Sequence, residues 1–292
     1  MEYAIRRRGM IWGAASVALL ACSLARAAPA PQRVMSLNAC TDVLLLRLLP
    51  HERIASVTFL THESRDATLR ALAAGVGSNR GSAEEVLSVS PDLVLAGQYT
   101  TPAARMILAR LKVPTLTVAP ANNFASIRVI TLQVAKALGE EAHAQVMLRE
   151  MDATLEELAR TAPARKLLVA AWDGGGSVPA RNSLFDAILT AAGAVNVARS
   201  ASDAANQFDV EDLLVASPDL LLYGDSAADG PSLRDLQTQH PAIRHRYASR
   251  TIAYPEALYS CGEPGSAAAA VRLRTALVAA AASSRPGAPS AR

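Results

Sequence analysis

Beyond its first thirty residues the chain has no uninterrupted apolar run of membrane length, and it holds only three cysteines, five histidines and 4% aromatic residues. Each shortage removes a class of protein. Without a long apolar run, the rest of the chain is expected to be soluble. The histidines, His51, His62, His143, His240 and His245, are scattered, so neither a structural zinc site nor a histidine-rich metal-capture tract is expected. There is no Gly-x-Ser-x-Gly elbow, which leaves an esterase without a nucleophile. Gly75, Gly77 and Gly81 are one residue off the dinucleotide fingerprint and follow helical rather than strand residues. Residues 174–177 lack the Gly-Lys-Ser/Thr ending that cradles phosphate. No nucleophile and base pair can be named, so the chain does not read as an enzyme.

A basic surface is missing too, although the formal net charge is +3. Residues 1–27 read as a secretory signal peptide: Arg6, Arg7 and Arg8, an apolar run over 10–24, then Ala25, Arg26, Ala27. Removing them takes four arginines and one glutamate from 29 basic and 26 acidic residues, leaving 25 of each. A nucleic-acid partner therefore loses its electrostatic basis. Within the same segment Leu19, Leu20, Ala21, Cys22 resembles a lipobox, which would make Cys22 a lipid-anchored N-terminus, and Arg7, Arg8 weakly resembles a twin-arginine signal. Export opens a compartment that permits disulfides. Cys40 and Cys261 then read as a structural disulfide, as two unrelated buried thiols, or as thiolates at a ligand or metal.

What is present is a repeat. SAEEVLSVSPDLVLAGQY at residues 82–99 returns as DVEDLLVASPDLLLYGD at 209–225. In both copies a polar cap, Ser82 or Asp209, stands three positions before an acid, Glu85 or Asp212, and starts a short helix. Ser-Pro ends the helix, and the apolar runs 93–96 and 220–223 read as buried parallel strands. Two such copies in 292 residues predict two α/β lobes.

The remaining pattern fits that frame. Strands are expected at 33–37, 54–58, 115–118, 166–171, 195–197 and 251–253, and helices at 43–49, 102–111, 183–192, 232–239 and 267–282. Residues 59–65 and 254–264 read as polar rim loops. From 123 to 161 there is no proline and only Gly139, so two consecutive helices are expected, the second over 141–161 and about 30 Å long. The boundaries that follow are 1–27 signal peptide, 28–122 N-terminal lobe, 123–162 linking helices, 163–282 C-terminal lobe and 283–292 a disordered tail. Glu84 and Glu211 occupy equivalent places in the two repeat copies. Each reads either as a solvated acid in a helix's first turn or as one of two docking acids facing a two-fold partner.

Three segments carry a family resemblance: RVMSLNACTDVLLLRLLPHERIASVT at 33–58, AEEVLSVSPDLVLAG at 83–97 and VEDLLVASPDLLLYGD at 210–225. They resemble the periplasmic substrate-binding proteins of ABC importers for cobalamin and iron-siderophores. The resemblance implies the class III fold: two Rossmann-like α/β lobes joined by a single long α-helix. It further implies a monomer that captures a small-molecule metal chelate, cobalamin or a ferric siderophore, in an inter-lobe cleft and delivers it to an ABC permease dimer in the inner membrane. No cofactor or bound metal of its own is implied. Carried over position by position, it makes Glu84 and Glu211 the permease-docking acids. The rim residues that would face the ligand are Asn38, Cys40, Leu60, His62, Arg65, Tyr99, Trp172, Asp173, Phe208, Tyr259 and Cys261. Under this fold Cys40 and Cys261 would either bond the lobes together or flank the ligand. The alternative on the same fold is a periplasmic sensor or adaptor subunit without a transport role.

Overall fold

The computed structural model describes residues 29–64, 66–100, 102–172, 178–179, 182–200, 208–223, 240–255 and 257–283. Two parallel sheets organise them. The first has the order β3-β2-β1-β4-β5, from β1(Val34–Ser36), β2(Ile54–Thr58), β3(Ser78–Asn79), β4(Leu93–Gly97) and β5(Thr115–Val118). The second has the order β7-β6-β8-β9, from β6(Leu168–Ala171), β7(Val195–Asn196), β8(Leu220–Tyr223) and β9(Thr251–Ala253). Central strands carry unbroken apolar stretches because helices cover both faces, as parallel sheets require. Val34, Met35, Val94, Leu95 and Ala96 are fully buried.

Crossover helices separate the strands. The N-terminal lobe uses α1(Ala39–Leu48), α2(Phe59–His62), α3(Ala67–Leu72), α4(Ala83–Val89) and α5(Pro102–Arg110). The C-terminal lobe uses α8(Leu184–Ala191), α9(Val210–Ala216), α10(Pro241–Tyr247), α11(Ala257–Ser260) and α12(Ser266–Ser283). Between them run α6(Phe124–Leu138) and α7(Glu141–Arg160), divided at Gly139, whose φ of 75° only glycine adopts readily. Helix α6 packs on α1 and β5, whereas α7 packs on α8 and α12, so α7 is the single long element that carries the chain across. Ala144, Leu148, Met151 and Leu158 form its buried stripe.

The repeat has a physical basis in both copies. Ser82 with Glu85, and Asp209 with Asp212, form complete capping boxes. Both helices end on a left-handed serine, Ser90 at φ 43° and Ser217 at φ 46°. The aspartate of each Ser-Pro-Asp then fastens the start of the neighbouring strand. Asp92 accepts from the backbone amides of Gln32 (2.6 Å) and Arg33 (3.0 Å) ahead of β1, and Asp219 accepts from that of Leu168 (2.8 Å) in β6.

Four local expectations are corrected. The rim at 59–65 is not a loop at its start but the short helix α2, and the loop at 254–264 contains α11. Strand β3 was not expected; it has two residues, too few to show a period. The helix α10 was not expected after 232–239; it starts at Pro241, because proline suits the first helical turn. The helix expected at 232–239, the signal peptide and the tail beyond 283 lie outside the described residues.

Candidate functional site

In open α/β sheets ligands bind beyond the carboxyl ends of the strands, where the strand order reverses. In the first sheet that point lies between β1 and β4. The chain leaves β1 through Leu37 and Asn38, which caps α1 by accepting from the Cys40 amide at 3.0 Å. It leaves β4 at Gly97, where a Cβ would stand 2.7 Å from Asn38 Cγ and Nδ2. Only a glycine lets the two exits come this close.

A cavity of about 210 Å³ opens there. Asn38, Cys40 and Thr41 form one wall, Gln98 and Tyr99 another, the exit of β5 at Ala119, Pro120 and Ala121 a third, and Ser260 and Gly262 reach in from the C-terminal lobe. None of its lining residues among those described carries a formal charge. Tyr99 is 80% exposed, a ring held out at the mouth rather than packed. Cys40 and Cys261, 221 residues apart, are joined by a disulfide with Cα atoms 4.9 Å apart.

A buried polar network lies beneath this corner. Asp42 is fully buried, and its Oδ2 accepts from Thr58 N (3.0 Å), Thr58 Oγ1 (2.5 Å) and Thr61 Oγ1 (2.7 Å). Its Oδ1 has no hydrogen-bond partner among the described residues. Burial pushes the Asp42 carboxyl above its ordinary value, against the opposing effect of these hydrogen bonds. Ser36 and Thr41 hydroxyls pair at 2.7 Å, and Asn79 Nδ2 donates to Ser36 O at 3.0 Å. The network ties α1, α2, β1, β2 and β3 together beside the cavity wall.

Of the rim residues expected from sequence, the structure brings Asn38, Cys40 and Tyr99 together at the cavity, with Cys261 behind Cys40. Leu60 is exposed on α2, and His62, at its end, has a buried Nε2 without a hydrogen-bond partner among the described residues. Neither lines the cavity. Trp172 and Phe208 are drawn into the core instead: Trp172 is 2% exposed, and both residues cluster with Leu213, Leu221, Ile243 and Tyr247 in the C-terminal lobe. Tyr259 is also drawn inward, edge-on to Phe185 with centroids at 5.1 Å and stacked on Tyr254 at 5.9 Å. Arg65 and Asp173 lie outside the described residues. Thr41, Gln98, the 119–121 exit, Ser260 and Gly262 were not among the expected residues, although the 254–264 rim loop and Cys261 were. The signal for the 119–121 exit was available, since β5 ends by the same rule as β4; nothing in the sequence brings residue 262 to residue 121.

Glu84 and Glu211 are exposed on the first turns of α4 and α9. The Glu84 carboxyl is held below its ordinary value, first by its own backbone amide and then by the Ser82 hydroxyl. Beside these acids stand Leu87, 55% exposed, and Val215, 86% exposed, one turn further along each helix.

The sequence pattern of the periplasmic binding protein family matches residues 34–250. No curated protein matches the chain. Among solved structures, the apo form of the periplasmic heme-binding protein RhuT from Roseiflexus sp. RS-1 is similar, with a TM-score of 0.68 and 25% identity over 86% of this chain and 99% of that one. The periplasmic vitamin B12 binding protein BtuF of Vibrio cholerae superposes with a TM-score of 0.62 and 17% identity, covering 86% of this chain and 98% of its own. An ABC-type Fe3+-hydroxamate transport system structure from Saccharomonospora viridis DSM 43017 gives 0.64 and 18%, covering 85% and 93%.

Proposed function

The chain belongs to the periplasmic binding protein family, and from that premise we propose that it captures a bulky metal chelate in the inter-lobe cleft and hands it to an ABC permease. It is a binding protein, not an enzyme. The observation that carries the reading is the cavity at the reversal point of the first sheet, walled on one side by the other lobe. Its described walls offer amides, hydroxyls and an exposed tyrosine ring but no charge. Such a surface suits a ligand with a neutral, amide-bearing periphery, so a cobalamin-like corrinoid fits better than an anionic ferric siderophore.

Delivery requires a docking surface. Glu84 and Glu211 occupy equivalent points on the two lobes, and each is accompanied by an exposed apolar neighbour, the mixture that marks a protein-binding surface. Two identical permease subunits would each present a basic side chain to one acid. The protein acts as a monomer in the periplasm, exported by residues 1–27 or anchored through Cys22. Among the described residues no helix is long and apolar enough to cross a membrane.

A thermal-shift screen against cyanocobalamin, hemin and ferric siderophores tests the reading, because a ligand that binds only the folded state raises the melting temperature. The largest shift is expected with cyanocobalamin. A flat response to every chelate overturns the importer reading and leaves a ligand-free adaptor on the same fold.

A further inference from the structure

Between α11 and α12 lie Cys261, Gly262, Glu263, Pro264 and Gly265, a short strap that belongs to the C-terminal lobe in sequence but touches the other lobe. Cys261 is bonded to Cys40 in the first turn of α1. Gly262 sits so tightly on the opposite side that an added Cβ would be 2.7 Å from Ala121 Cβ and 3.0 Å from Ile127 Cγ1. Glu263 is 9% exposed and faces Arg47 of α1 at 3.7 Å. Its carboxylate also accepts from the Gly265 amide at 2.7 Å, which keeps the strap folded on itself. Three consecutive residues thus hold the start of α1, the segment leading into α6, and the end of α1.

These attachments are unequal. Gly262 contributes contact without a side chain, and Arg47 is exposed at a separation longer than a hydrogen bond, so water screens the ion pair. Only the disulfide is covalent. The same strap also walls the cavity, since Gly262 and Ser260 line it together with Cys40, whose Sγ is 3.6 Å from Ser260 O.

We propose that the Cys40–Cys261 disulfide is the positioning element of the cleft: it clamps the strap to the N-terminal lobe and so sets the width of the cavity before any ligand arrives. A wall fixed in advance need not be ordered on binding, which favours slow ligand release. The consequence for binding rests on the cavity being the ligand site; the clamp itself does not. Cutting the bond with a phosphine is a two-electron reduction. Phosphorus attacks one sulfur, the S–S bond breaks, both sulfurs are protonated to thiols, and oxygen from water leaves on the phosphine as its oxide. The strap then keeps its contact with Ala121 and Ile127 and the screened ion pair to Arg47.

Hydrogen–deuterium exchange on the whole protein, before and after treatment with the phosphine TCEP, reads the strap directly. Amides at 261–266 are expected to exchange at least tenfold faster after reduction, and equally so in a Cys40→Ser/Cys261→Ser double variant, while β1, β4 and α7 keep their protection. Unchanged exchange at 261–266 in the reduced protein overturns the proposal. Uniform loss of protection along the chain overturns it too, because the disulfide would then be a global stabiliser rather than a local clamp. The reduced wild type carries the test if the double variant does not fold. Cyanocobalamin dissociation, measured after TCEP is removed under argon, separates this idea from the ligand reading. At least tenfold faster dissociation from the reduced protein supports the clamp, and equal dissociation with a freed strap overturns its part in shaping the cavity. Binding to neither form counts against the ligand reading alone, and the exchange result still decides the clamp.

Discussion

The side chain of Asn38 fills the space that a Cβ on residue 97 would need, with Cγ and Nδ2 each 2.7 Å from that position. The residue that caps α1 is thereby packed against the end of β4, and the cavity wall is built from both. Gly97→Ala must displace Asn38 and should destabilise the protein by about 1–3 kcal/mol. Asn38→Ala alone should cost about 1 kcal/mol as a lost cap. The double variant should be less destabilised than the sum, because removing Asn38 opens room for the methyl group. Urea unfolding of the four proteins gives the coupling, and strict additivity would contradict the packing.

Asp42 sets an acid-side pH dependence. Its folded-state carboxyl is raised by burial, so between the ordinary carboxylate value and the raised one the native state binds more protons than the unfolded chain. Stability from this group is therefore greatest at acid pH and falls as pH rises through the raised value. Asp42→Asn keeps one oxygen for Thr58 and Thr61 and carries no charge. It should remove that slope and match or exceed wild-type stability at neutral pH. Chemical unfolding at several pH values checks this, and an unaltered slope would place its origin elsewhere.

Tyr99 and Trp172 should separate cleft from core. Tyr99→Ala is expected to leave stability within about 0.5 kcal/mol of wild type while weakening ligand binding. Trp172→Ala is expected to cost about 3–5 kcal/mol, since its ring is buried among Leu213, Leu221 and Ile243. Parallel melts and titrations decide, and the opposite pattern would reverse the two assignments.

Glu84→Lys together with Glu211→Lys should lower whole-cell uptake at least tenfold and leave the affinity of the isolated protein unchanged. Each single reversal should do less, since one lobe still docks. Loss of affinity in the isolated protein would mean that these acids act on the ligand instead.

The two-lobe fold was legible because its signals are local and repeated. Ser82 with Glu85 and Asp209 with Asp212 announce helix starts, Ser-Pro announces the ends, and apolar runs at 93–96 and 220–223 need covering on both faces. The glycine-divided helices before Pro163 announced the bridge in the same way. Asn38 and Tyr99 line the cavity because each stands just past a strand, where the chain must turn at a rim. Trp172 and Phe208 obey that rule equally well and are nevertheless core residues, since strand-end position fixes where a residue sits and not which way its ring turns. The sequence alone determined the two repeated helix–strand units and their equivalent acids, which depend on neighbours within a few turns. Only the tertiary structure decided that Cys261 meets Cys40, that Gly262 rests on Ala121, and that Asp42 lies buried under Thr58 and Thr61. Those contacts come from how whole elements pack, and no local pattern encodes the distance between residues that far apart in the chain.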